Sequence, residues 1–347
     1  MTPVGVVASG MVTGLGFNAA ATLAALRAGV SAIRQTPWVD FASGEPLRGA
    51  RVSLPQWWEG PGKLVELVAP AISECLAAAS EPLEAIPLLI GMAEPSRPGR
   101  TPQLEERLLE EIEFRLGLPA HRESRIFAGG QVGCAQALMK ASSLFDDGRA
   151  NLCVVAGVDS FLQQTTLDAY MERRRLMTAS NSNGFFPGEA GCAVLVCRPG
   201  TTTRDELRVI GFGMAQEAAT IESTRPLRAV GLTNALKQAI ATSGVSLNHV
   251  AFRVTDLSGE HYKFKEAMLA ANRLNRGRRQ TQLDLWHPSE YLGEIGAAIV
   301  PCLLGWTLHA QQHGYANGPL ALCHAGSDDG QRVAMILRYE TVPRAGA

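Results

Sequence analysis

The residues whose types and spacing could do chemistry sit on one turn and along the last third of the 347-residue chain. Phe127-Ala128-Gly129-Gly130-Gln131-Val132-Gly133-Cys134 is a glycine-rich turn that opens on a helix. Such a strand–turn–helix throws one side chain into the protein centre and is a common seat for a nucleophile. The first residue after this turn is Gln131, an amide with no nucleophilic chemistry. Cys134 is the alternative nucleophile, because a thiol near a helix N-terminus gains thiolate character from the dipole. Candidate acids and bases follow at His261, His287, Glu290, Glu294 and His324, in loops that could converge on one pocket. Each also has a plainer role: Cys134 lies on a packing stripe, and His287-Pro288-Ser289-Glu290 reads as an N-cap box. No pair has metal-ligand spacing, so neither metal nor cofactor is expected.

These residues need elements to position them. Val4 to Ala8 reads as a buried strand, followed by a turn from Ser9 to Gly16 and a helix from Ala19 to Ala28, capped by Asn18 and stopped at Gly29. The glycines of that turn are spaced G-x-x-x-G-x-G, which fits neither a dinucleotide fingerprint nor a P-loop. Residues 34 to 62 read as loop, with Trp57-Trp58 packed in it. A helix is expected from Lys63 to Ala79 and a strand from Pro87 to Met92. Thr101 as N-cap and Pro102 at the first position open a helix with Leu104, Leu108, Ile112 and Leu116 on one face, ended by Gly117.

Arg125 to Ala128 is strand-like and leads into the glycine turn. In the helix from Val132 to Asp147, the residues Cys134, Leu138, Ala141 and Phe145 form a stripe, and Gln131 extends it inward. Gly148 stops that helix, and Asn151 to Ala156 is a buried strand. Gly184 to Val196 is a glycine-rich loop running into another strand. The second half repeats the logic, with strands at Leu207–Met214 and Val250–Asp256 and a helix at Leu227–Ser243 that turns Leu232, Leu236 and Ile240 inward. Helices at Lys263–Leu274 and Leu292–Leu308 precede strands at Pro319–His324 and Arg332–Tyr339. Alternating strands and helices in two similar halves, about 1–200 and 205–347, define an α/β architecture with covered sheets. No linker separates the halves, so one compact domain over 1–347 is expected.

Composition narrows the function classes. A net charge of −1 with 46% hydrophobic and 19% charged residues gives no electrostatic footprint for nucleic acid or an anionic membrane. The basic run Arg173-Arg174-Arg175 reads as a solvated or ion-paired loop. Seven scattered cysteines without a C-x-x-C pair fit a reducing compartment. The apolar run from Ile295 to Leu308 is shorter than the ~20 residues a bilayer needs and contains Pro301. With no signal-peptide pattern, a cytoplasmic protein is expected.

The residues resemble the β-ketoacyl synthase branch of the thiolase superfamily over nearly the whole chain. Val7 to Gly16 and Leu23 to Ile33 resemble the ketosynthase start, and Val209 to Met214 resembles the first strand of the family's second half. Gly184 to Val196, similar to the family's G-F-x-x-G-E-G-A-G loop and strand, is the most specific match. The resemblance implies a thiolase-like fold, five-layered α-β-α-β-α with two pseudo-symmetric halves, usually dimeric. It also implies a cysteine nucleophile 17 residues before the glycine that ends its helix; counting back from Gly148 gives Gln131. The two supporting positions, usually His/His or His/Asn, fall on Ser258 and Gly293, and the aromatic gate of the family's late glycine loop is absent from Gly326–Gln331. All three condensing positions therefore differ.

Within the family, glutamine at the nucleophile position occurs in decarboxylating loading synthases and in chain-length factors. The first needs donors for an enolate that Ser258 and Gly293 do not supply in the same way. The resemblance thus implies a non-catalytic scaffold or partner subunit, forming a homodimer or a heterodimer with a related ketosynthase-like chain. It could take an acyl chain or acyl carrier protein in a pocket built from Gln131, Cys134, Ser258, His261, Glu294 and His324. Stand-alone degenerate relatives of this kind occur as accessory proteins in lipid or polyketide operons and beside type VI secretion cargo genes. The rival reading is an active acyltransferase on acyl carrier protein or acyl-coenzyme A thioesters, using Cys134 or a shifted constellation.

Overall fold

The computed structural model describes residues 2–55, 59–275 and 283–342. The Trp57-Trp58 loop lies outside the described residues. The first half runs β1 (Val4–Thr13), α1 (Ala19–Arg27), β2 (Arg34–Val39), β3 (Pro46–Gly49), α2 (Pro61–Ala77), β4 (Leu88–Gly91), α3 (Leu104–Leu116), β5 (Arg125–Phe127), α4 (Gly133–Asp146), β6 (Leu152–Ser160), α5 (Gln164–Glu172) and β7 (Glu189–Cys197). The second runs β8 (Glu206–Gln216), α6 (Val230–Ser243), β9 (Phe252–Thr255), α7 (His261–Asn275), β10 (Asp284–Trp286), α8 (Ser289–Leu292), α9 (Ile299–Gln312), β11 (Leu320–Gly326) and β12 (Gln331–Glu340).

The strand order carries the pseudo-symmetry. One half reads β1-β7-β6-β4-β5 and the other β8-β12-β11-β9-β10. In each, the first two pairings are antiparallel and the last two parallel. The halves join where Val4, Gly5 and Val6 of β1 pair with Val209, Arg208 and Leu207 of β8. Strands β6 and β7 are buried at every position, as expected for strands covered on both faces.

Apolar packing falls into layers. Between the halves lie α4 and α9, whose Leu138, Phe145, Ile299 and Leu303 share a core with the inward faces of both halves of the ten-stranded sheet. Outside the first half, α2 and α3 bury Leu67, Ile72, Leu108 and Ile112 against the other sheet face. Outside the second, α6 and α7 do the same with Leu232, Leu236 and Ala270.

Several local expectations are corrected. β1 continues through the residues read as a turn, because Gly10 lets α2 lie directly on the strand, where a Cβ would meet the Ala71 carbonyl. Residues 34–49 form the β2–β3 hairpin rather than loop. α3 starts at Leu104 with Gln103 left-handed at its cap, while the Thr101 hydroxyl bonds Gln163 instead. The helix expected over Leu292–Leu308 is broken at Gly293 and Gly296, both at positive φ, so that α8 and α9 are separate. The expected cap box at 287–290 does not form: α8 has no side-chain cap, and the Ser289 hydroxyl is buried without a partner.

Candidate functional site

The Gly129–Val132 turn holds Gln131 at the head of α4, 3% exposed and directed into the interior as the stripe requires. Gly130 is demanded twice. Its φ is +55°, and a Cβ there would strike the Glu94 carboxylate. The Gln131 amide nitrogen lies 3.4 Å from Glu294 Oε1, while its carbonyl oxygen is buried without a partner.

Glu294 is the hub of a buried network. Its Oε2 takes a 3.0 Å ion pair from Lys263 Nζ, and its Oε1 accepts from the Gly296 N–H at 3.0 Å. Its backbone bridges the Phe186–Gly188 loop, donating to the Phe186 carbonyl at 2.8 Å and accepting from Gly188 at 3.0 Å. Lys263 also reaches the Asp256 carbonyl at 3.3 Å and its carboxylate at 3.5 Å. Burial alone would lower the Lys263 pKa, but Glu294 and Asp256 outweigh it and raise it.

Two further ionic clusters surround the turn. Arg97 clasps Glu94 through two bonds of 3.0 and 2.9 Å and pairs with Asp159 at 3.1 Å, with Phe161 beneath its guanidinium. Asp159 accepts from the Ala297 N–H at 3.0 Å, and its burial raises its pKa against the pull of Arg97. Arg175, from the basic run, makes a two-pronged contact with Glu260 at 2.8 and 2.9 Å and pairs with Asp328 at 2.6 Å. Asp328 lies on the Gly326–Gln331 loop; desolvation works against its charge, yet Arg175 holds its carboxyl down to about 2.

The remaining candidates separate. Cys134 is fully buried, its Sγ 3.3 Å from the Ala297 carbonyl and 3.4 Å from that of Ala156, and burial pushes its thiol up to about 12. The helix-dipole argument is overridden there by burial, which outweighs the backbone contact with Gly91 that favours the thiolate. Ser258 is buried with its hydroxyl unpartnered. Gly293, at φ +66°, packs beneath the Phe186 and Pro187 carbonyls.

His261 departs from the expected pocket. It is exposed at the head of α7, its backbone N–H donating to Asn183, so it does not join a shared buried pocket. His287 and exposed Glu290 lie 3.9 Å apart at α8. His324 is buried on β11, held to about 3 by burial first and then by Arg253, Arg332 and Lys263. Of the expected pocket residues, the structure brings Gln131 into contact with Glu294 and leaves His261 at the surface. Among the described residues no cluster of metal-ligating side chains occurs, and no helix is long and apolar enough to cross a membrane.

Sequence reasoning did not single out Lys263, Asp256, Glu94, Arg97 or Asp159. Asp159 had a signal, a carboxylate at the end of an otherwise apolar strand. Lys263 had none beyond its place on a helix face.

No protein-family model matches the sequence, and no curated protein is detectably similar to it. Solved structures are similar along nearly the whole chain. The ishigamide ketosynthase/chain length factor superposes with a TM-score of 0.70 at 20% identity, covering 97% of this chain and 99% of that one. A β-ketoacyl synthase from Burkholderia phymatum STM815 gives 0.73 at 15% identity, covering 98% and 100%. A ketosynthase in complex with its chain length factor, from Xenorhabdus doucetiae, gives 0.70 at 14% identity, covering 98% of each chain. The chain has the thiolase-like fold of the ketosynthases and chain length factors.

Proposed function

We propose that this chain is a ketosynthase-fold partner or scaffold subunit without condensing chemistry of its own. The observation that carries this reading is the environment of Gln131. Its amide is engaged by a carboxylate that is itself ion-paired to Lys263, so the head of α4 is tied into a structural network. A condensing site needs a thiolate there and preorganised donors aimed at a developing oxyanion. Gln131 carries no thiol, Gly293 has no side chain, and Ser258 offers one hydroxyl in place of an imidazole. The nearby thiol of Cys134 is fully buried and made less acidic by that burial. The similar structures include ketosynthase/chain-length-factor complexes, which supports a related ketosynthase-like subunit as companion, in a homodimer or heterodimer, with acyl carrier protein or an acyl chain as a further ligand.

Intact-mass measurement after incubation with acyl-coenzyme A and acyl carrier protein tests this. The expected result is no covalent acyl adduct, together with a stable ketosynthase-like companion on copurification. An adduct that disappears in Cys134→Ala would replace the scaffold reading by the acyltransferase one.

A further inference from the structure

β9 is a middle strand of its half, parallel to β10 on one side and to β11 on the other. A parallel strand covered on both faces is expected to be apolar throughout. Phe252 and Val254 obey, joining the core between the halves. Arg253, on the opposite face, does not. Its register neighbours are Leu285 on β10 and Leu322 on β11. Among the described residues its Nε is buried without a hydrogen-bond partner, and burial lowers its pKa with no carboxylate of those residues acting in the other direction. The segment 276–282, Arg-Gly-Arg-Arg-Gln-Thr-Gln, has no carboxylate in its sequence to offer.

The contrast with the rest of the molecule is sharp. Lys63, Arg97, Arg175, Lys263 and Arg332 are buried, and each holds a carboxylate within 3.0 Å. A guanidinium keeps its charge at physiological pH; Arg253 is half-buried, with its Nε desolvated and no counterion among the described residues, which costs stability. Arg253 instead lines a cavity of about 360 Å³ under α6 and α7, within the size range of small-molecule sites. Leu236, Leu257, Ala267, Ala271 and Leu322 form much of its wall. At its edge Phe264 and Met268, one turn apart on α7, remain 37% and 58% exposed.

We propose that this cavity is a binding site for an aliphatic monocarboxylate, whose carboxylate is the counterion of Arg253 and whose chain lies along the leucine and alanine wall. A carboxylate matches the planar guanidinium fork. A phosphate monoester would bring a second charge and further acceptor oxygens that the leucine walls leave unsatisfied. His324, which also lines the cavity, is held neutral by burial and adds no second cation. The site lies on the outer layer, apart from the Gln131 turn, and stands whether or not that turn is inert.

Calorimetric titration of the full chain with decanoate and with decanol tests the assignment. Decanoate is expected to bind saturably at one site, with decanol at least tenfold weaker. Arg253→Leu is expected to weaken decanoate at least tenfold and to raise the thermal midpoint of the unliganded protein by removing the unpaired charge. Ala271→Phe, which fills the cavity and leaves Arg253 in place, is expected to abolish binding with an unchanged circular dichroism spectrum. Absence of saturable binding, equal affinity for decanol, or undiminished binding by either variant would overturn the proposal. A lowered midpoint or failure to fold in Arg253→Leu would overturn it too, by showing that the charge is already compensated.

Discussion

His324 offers a quantitative check on how the interior treats charge. It sits on β11 with Thr255 of β9 and Ala334 of β12 as register partners, 5% exposed. Burial first, then the positive charges of Arg253, Arg332 and Lys263, lower its pKa from an ordinary 6.5 to about 3. The folded pKa lies below the unfolded one, so protons bind the unfolded chain more readily. Stability is fully present above pH 6.5 and is lost as pH falls toward 3. With one proton taken up at 1.36 kcal/mol per pH unit, His324 alone removes about 2 kcal/mol between pH 7 and pH 5. The assay is the urea midpoint across that window for the native protein and for His324→Leu, at matched m-values. His309, lowered to about 4, and the depressed His121 and His287 add background of the same sign to both proteins. Buried carboxylates raised by desolvation, Glu260 and Glu266 among them, add background of the opposite sign to both. The difference between the curves isolates His324. The variant is expected to lose less stability on acidification, by about 2 kcal/mol at pH 5. Parallel curves would refute a buried, neutral His324 pressed by three cations.

The network around Gln131 gives two further expectations. Lys263→Met leaves both Glu294 and Asp256 without their cation and is expected to cost about 3–5 kcal/mol, the range for removing one member of a buried pair. Glu294→Gln leaves Lys263 with Asp256 and keeps an acceptor for the Gly296 N–H, so a smaller loss of about 1–3 kcal/mol is expected in the same denaturation assay; the reverse order would break the assignment of Lys263 as the shared cation. Gln131→Cys is expected to yield no β-ketoacyl product by mass spectrometry when supplied with acyl and malonyl thioesters. Product formation would show that Ser258 and Gly293 are not at the two supporting positions.

The fold was legible in the sequence because it rests on patterns that short stretches declare. Apolar runs at Leu152–Ala156 and Ala190–Val196 can only be covered strands, and Asn18, Gly29, Gly117 and Gly148 mark helix ends by local chemistry. Errors arose where tertiary contact overrides local preference. Gly10 reads as a turn residue until α2 is laid on it. Gly293 and Gly296 read as tolerable helix residues until the Phe186–Gly188 loop and Asp159 take the space a Cβ would need. The site was legible in part for the same reason. The inward aim of Gln131 follows from helical periodicity, but its partner Glu294 lies 163 positions away and Lys263 lies on a third element. Such long-range ion pairs leave no periodic trace. His261 was misplaced because a loop histidine carries no sign of which way its helix will face.

The distribution of charge separates two kinds of interior in this fold. Around the Gln131 turn each buried cation of the three ionic clusters is matched: Arg97 by Glu94 and Asp159, Lys263 by Glu294 and Asp256, Arg175 by Glu260 and Asp328. A cavity lined by Lys263, Asp256 and His324 measures about 20 Å³, room for about one water. A centre so fully paired gains little from an added charged ligand, because any newcomer must first displace a carboxylate already held at 3.1 Å or less. Under α6 and α7 the balance is opposite, with space for a small molecule and, in Arg253, a cation without a counterion among the described residues. If ligand binding persists in this protein, electrostatics therefore favours the outer cavity over the inherited turn. Decanoate protection of a cysteine introduced by Ala271→Cys, with no protection of one introduced by Gln131→Cys, is the expected outcome of alkylation kinetics; protection at Gln131→Cys instead would return binding to the centre of the fold.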